Sequence, residues 1–111
     1  MDRELTNNVK TVLKSANLIY KSGDYTSTTI LYFKAMFIVL DLIILSDTGK
    51  TPKDHTERFR VLELKYPTLY NVLDKYFKIY RATYSTSIDK ETCEDVKKNV
   101  DKIIKEFKIE I

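Results

Sequence analysis

Apolar residues recur along most of this chain at the three-and-four spacing of a helix, and the pattern breaks in only a few places. Leu5, Val9, Val12, Leu13, Ala16, Ile19 and Tyr20 predict an amphipathic first helix of about five turns. Lys21-Ser22-Gly23-Asp24 closes it: Gly23 suits the left-handed position after a helix, and Asp24 can cap the next one. The second helix, near Asp24 to Ser46, is apolar on nearly every side from Ile30 to Leu45. A helix of that kind needs cover on several faces, so it either sits centrally or lies against a second copy of the protein.

The segment from Asp47 to Lys53 carries Gly49 and Pro52 and reads as the one loop of real length. Asp54 with Glu57 has the form of a capping box and opens a short third helix to about Lys65. Pro67 interrupts, and Thr68 is the expected cap of a fourth helix reaching about Tyr84. Leu69, Leu73, Tyr76, Phe77, Tyr80 and Tyr84 are its expected buried stripe. After the polar break at Ser85-Thr86-Ser87-Ile88, Asp89 caps a last helix with Val96, Val100, Ile103, Ile104 and Phe107 inward. The expected fold is all-α: an up-and-down four-helix bundle with one additional short helix, in a single domain over residues 1–111.

Composition supports that choice. Two Gly and two Pro among 111 residues leave too few turn residues for an all-β fold, whose turns recur every 8–12 positions or so. Forty-three per cent hydrophobic and 32% charged residues exclude a disordered chain. The 19 basic and 16 acidic residues give a net charge of +3, which permits phosphate contacts without demanding them. The start Met1-Asp2-Arg3-Glu4 is too polar for a signal peptide. Lys34 and Asp41 interrupt the Ile30–Leu45 run, which is shorter than the roughly 20 residues a bilayer requires. Together with the single Cys93, these features predict a soluble, cytoplasmic protein with no membrane association.

Most catalytic chemistry lacks its residues. Gly23 and Gly49 stand alone, so no phosphate-binding loop is present. One His and one Cys cannot build a structural zinc site, and no Glu-x-x-His repeat faces inward, so neither metal nor cofactor is expected. Cys93 and His55 are formally a nucleophile and base, but nothing supplies an orienting third group, and an inert thiol is the favoured reading. His55, directly after its cap, reads first as a neutral ring with a local hydrogen bond. The alternative is a phosphate or base contact, with Lys50, Thr51 and Lys53 beside it. Five of the eight tyrosines lie between Tyr66 and Tyr84, with Lys75, Lys78 and Arg81 among them. Tyr80, Tyr84, Lys78 and Arg81 are thus candidates for stacking bases and pairing phosphates, against a simpler role as a core stripe with wet hydroxyls.

The order of these features resembles the HEPN family, small helical nucleotide-binding domains. The stretch from Ala16 to Leu45, ANLIYKSGDYTSTTILYFKAMFIVLDLIIL, is similar to the family's helix, Gly-Asp-Tyr turn and hydrophobic helix. Thr51-Pro52-Lys53-Asp54-His55 resembles its Pro-containing connector, and Tyr80-Arg81-Ala82-Thr83-Tyr84 with the Asp89–Phe107 segment resembles its closing part. The resemblance implies a four-helix bundle that forms a homodimer. It also implies one of two roles. One is a non-catalytic module that binds nucleotide or a nucleotidyltransferase partner. The other is a toxin-like, metal-independent ribonuclease using an Arg-x(4–6)-His pair. Arg81 matches the Arg, but Thr86, Ser87 and Ile88 occupy the places of the His. Arg81 without that His can hold a phosphate but cannot move a proton, so the binding role is the expected one.

Overall fold

The computed structural model describes residues 1–111 as five helices with no strand: α1 (Arg3–Lys21), α2 (Tyr25–Thr48), α3 (His55–Lys65), α4 (Pro67–Ala82) and α5 (Lys90–Glu106). Aspartates set most of the starts. Asp2, Asp24, Asp54 and Asp89 each accept a hydrogen bond from the backbone N–H three residues on, at 2.7–2.9 Å. The Ser27 side chain and then its backbone N–H hold Asp24 below the usual carboxylate pKa, and the Thr92 backbone N–H and then its side chain do the same for Asp89.

Three boundaries differ from expectation: α2 runs on to Thr48, past the expected end near Ser46, and both ends of α4 shift. Thr68 does not cap α4; Tyr66 occupies the cap position with no side-chain bond, and Pro67 sits in the first turn. Proline needs no partner for an N–H there and its fixed φ already suits a helix, so the start is set by backbone stiffness. At the other end α4 stops at Ala82 and the chain continues as a turn, in which the Thr83 and Thr86 hydroxyls donate to the Tyr80 and Ala82 carbonyls. Tyr84 therefore lies beyond the helix and is 79% exposed, so it leaves the buried stripe.

Helix α2 is the centre of the molecule. Twelve of its 24 residues are buried, among them Phe33, Ala35, Met36, Val39 and Leu42 at 0% exposure. At 24 residues α2 is longer than the Ile30–Leu45 run and, by length and composition, long and apolar enough to cross a membrane; 67% of its most apolar window is buried inside this fold. Helices α1 and α5 make the broadest contacts with α2, whereas α3 packs chiefly on α4 and α4 meets α2 over a narrow strip. The Tyr32 hydroxyl donates to Asn17 Oδ1 at 2.8 Å and ties α2 to α1. Burial pushes the Tyr32 pKa up to about 12. At the far end of α5 the Ile109 N–H bonds the Ile104 carbonyl, and Lys108 takes a left-handed φ of 52°. This closing turn buries Ile109 and lays the tail beside α1.

Candidate functional site

Where α2, α3 and α4 meet, the packing changes from aliphatic to aromatic and ionic. Asp41 is the one acidic residue inside the apolar run of α2, and it finds its counter-charge on α3. Arg58 donates from Nε to Asp41 Oδ1 at 2.7 Å and from Nη2 to Oδ2 at 3.0 Å, a two-pronged pair. Arg58 is 8% exposed, and its guanidinium lies 5.1 Å from the centre of the Phe37 ring. Its remaining Nη1 donates to His55 Nδ1 at 2.6 Å.

This third bond defines the state of His55. An arginine can only donate, so Nδ1 must carry a lone pair and the ring proton belongs on Nε2. Partial burial first, and the Arg58 cation second, hold the His55 pKa below the ordinary imidazole value, while Asp41 and Asp54 pull more weakly the other way. The ring is therefore neutral at pH 7. It stands edge-on to Phe37 at 4.6 Å between centroids, with Phe77 at 5.6 Å and Tyr80 at 5.8 Å. Its outer side is open to solvent. The position follows from the sequence: Asp54 caps α3, so His55 opens the helix, and Arg58 one turn on lies on the same face.

Tyr80 extends this shelf. It contacts Phe33, Phe37 and Phe77 at 5.2–5.4 Å, and Tyr84 meets it edge-on at 5.9 Å. The two hydroxyls lie 3.3 Å apart, and that bond, with burial second, raises the Tyr80 pKa. Tyr76 does not join them: its phenol turns toward Asp95 and Asn99 of α5. Lys78 and Arg81 are exposed and form no salt bridge. The structure thus sets His55 against Tyr80 and Tyr80 against Tyr84, with no ring contact between His55 and Tyr84, and places Arg81 and Lys78 on the same helix as Tyr80 without contact to His55.

The remaining chemistry is separated. Cys93 is fully buried in α5, where burial raises its pKa and Thr29 hydrogen-bonds it, on a different side of α2 from His55. No cluster of three or more His, Cys, Asp or Glu side chains is placed to hold a metal ion. Asp41 and Arg58 were not among the candidates read from the sequence. The usable signal was a carboxylate inside an otherwise apolar helix, which demands a buried partner.

Comparison of the chain with protein-family models, with curated proteins and with solved structures finds no match in any of the three.

Proposed function

We propose that the chain is a non-catalytic, HEPN-like binding module that takes a nucleotide or RNA base on the His55–Tyr80–Tyr84 shelf. The observation that carries this reading is the state of His55. A general base needs a free lone pair, and the one on Nδ1 is filled by Arg58. A general acid needs an accessible imidazolium, which both burial and the Arg58 charge oppose. What the ring retains is an exposed edge and an Nε2–H donor, with Tyr80 between it and the 79% exposed Tyr84, a row that suits stacking and hydrogen bonding to a base. In this reading Arg81 and Lys78, free of ion pairs, meet the phosphates.

The same reading includes a homodimer in the cytoplasm and a nucleotidyltransferase as the protein partner. Ile30 is 40% exposed on α2, and Ile38 and Leu45 are half-buried along the same face, with Lys34 and the Arg58-paired Asp41 between them, a mixed strip offered to a second copy. Sedimentation at micromolar concentration tests the dimer, and a strict monomer removes it. Titration calorimetry with ATP, GTP and a short single-stranded RNA tests the shelf. Binding that Tyr84→Ala weakens by about tenfold, the scale of one base–aromatic stack, supports the reading, and no heat with any of the three ends it. Incubation with RNA in EDTA addresses the ribonuclease alternative: cleavage lost in Arg81→Ala replaces binding with catalysis.

A further inference from the structure

We infer that the outer face of α1, together with the tail after α5, is a docking groove for an acidic amphipathic segment of a partner protein. This surface is independent of the His55 shelf. It is concave, made of two cavities of about 800 and about 490 Å3 that share Lys10 and Ile111 and so run into one another. Arg3, Lys10, Lys14 and Lys21 are spaced by seven, four and seven residues, which aligns them on one face of α1 over roughly 27 Å of helix. Lys108 adds a fifth cation from the opposite wall, and Glu110 is the only acid in the lining.

That distribution accounts for the whole charge excess of the protein. Five of its 19 bases and one of its 16 acids line the groove, so the rest of the chain carries 14 bases against 15 acids. None of the five cations is in a salt bridge. Between them lie apolar side chains with no partner: Leu18 is 60%, Met1 64% and Ile111 44% exposed, three of the six most exposed large hydrophobics in the molecule. Carboxylates at the cation spacing and apolar residues between them would satisfy both features, as an amphipathic helix does.

Two other anionic surfaces fit less well. No aromatic residue lines these two cavities, and the adjoining depression past Lys21 adds only Tyr20 and the buried Tyr32, so a nucleic acid gains phosphate contacts but little stacking. The apolar residues are separated by lysines rather than joined into the continuous apolar face that insertion into a bilayer uses.

The test is fluorescence anisotropy with a labelled helical peptide of about 18 residues built from Glu and Leu at matching spacing. Three probes run beside it: a same-length polyglutamate, a single-stranded oligonucleotide, and vesicles of phosphatidylserine in phosphatidylcholine. The peptide is expected to bind at least about tenfold more tightly than polyglutamate. Lys10→Glu/Lys14→Glu should lower its affinity by at least about tenfold, and Leu18→Gln by about threefold. Arg60→Glu/Lys75→Glu changes net charge equally, on α3 and α4 away from the groove, and should leave affinity within about twofold. Lys14→Gln, a milder change on an exposed helix face, should still lower it by about threefold, and circular dichroism confirms folding of each variant. Equal loss in both double variants, no preference over polyglutamate, or equally tight binding of oligonucleotide or vesicles overturns the inference.

Discussion

Helix α2 is covered in two different ways. Toward α1 and α5 it meets small and branched side chains, with Val9, Ala16, Cys93 and Val96 all at 0% exposure, and the backbones approach closely over a broad area. Toward α3 and α4 it meets rings and a guanidinium: Phe37 against His55, Phe77 and Tyr80, and Asp41 against Arg58. Large flat groups hold helices apart, so α4 contacts α2 over a narrow strip and α3 reaches it through side chains. The first side supplies non-directional stability. The second supplies fixed polar geometry, an exposed edge and the one imidazole. Candidate chemistry therefore sits on the more loosely covered side, and the two sides should respond differently to substitution.

The largest effect is expected in the aliphatic side. Leu40 is 1% exposed in the middle of α2, and Leu40→Ala removes its apolar contacts and leaves a cavity that dense packing cannot collapse. Urea unfolding should show a loss of about 4 kcal/mol. Leu64→Ala, at a site 76% exposed on α3, should stay within about 0.5 kcal/mol. Equal losses at the two sites would erase the distinction between covered and open surface.

Next comes the ion pair. Asp41→Leu leaves Arg58 buried without a counter-charge and should cost about 3 kcal/mol. Asp41→Leu/Arg58→Met replaces both charges by apolar groups and should regain most of that loss. Recovery in the double variant identifies the pair as a matched unit, with each charge needed mainly because the other is there. A double variant as unstable as the single would mean that the Arg58 hydrogen bond to His55, lost only in the double, contributes as much as relief of the unpaired charge regains.

The third effect is a pH dependence. Folding lowers the His55 pKa, so the unfolded chain binds the extra proton more readily and stability rises with pH through that range. The His55 contribution is fully present above the ordinary histidine value of about 6.5 and is lost as pH falls toward the folded value. Asp24 and Asp89 have the same sign, since their pKa values are also lowered by folding. Their loss falls in a separate window, below the ordinary carboxylate value of about 4. Urea midpoints at pH 7.5 and 5.5 should therefore differ in the wild type and converge in His55→Gln, while acid unfolding below pH 4 persists in both. A His55→Gln midpoint as pH-sensitive as the wild type would detach the imidazole from the stability of this side.

The helices were legible because their signals are local. Gly23 after α1, Gly49 at the end of α2 and Asp24, Asp54 and Asp89 as caps all lie where short-range spacing placed them. The misplacements came at boundaries, where Pro67 overrode Thr68 and the turn over residues 83–85 followed α4 before Tyr84 could join it. The site was legible in part. His55 and Tyr80 are 25 positions apart in sequence, and only the fold of α3 against α4 makes them neighbours. Arg58 was hidden for the opposite reason. One helical turn from His55, it carries no local sign of burial, which depends on Asp41, 17 positions away on another helix. Local periodicity carries no information about that pairing beyond the oddity of an acid in an apolar run.

The smallest effect on stability belongs to the residue most exposed to a ligand. Tyr84 lies beyond α4, 79% exposed, with one edge-on ring contact and one 3.3 Å hydroxyl contact, both to Tyr80. Tyr84→Ala buries nothing new and opens no cavity, so its urea midpoint should match the wild type within about 0.5 kcal/mol. Tyr80→Ala removes a ring packed on Phe33, Phe37 and Phe77 and should cost several times more. A side chain that contributes little to folding yet holds a large ring in solvent at the end of the His55–Tyr80 row has its use outside the folded core. If Tyr84→Ala destabilises the fold as much as Tyr80→Ala, the two rings are one structural stack, and the shelf has no free edge left to offer a base.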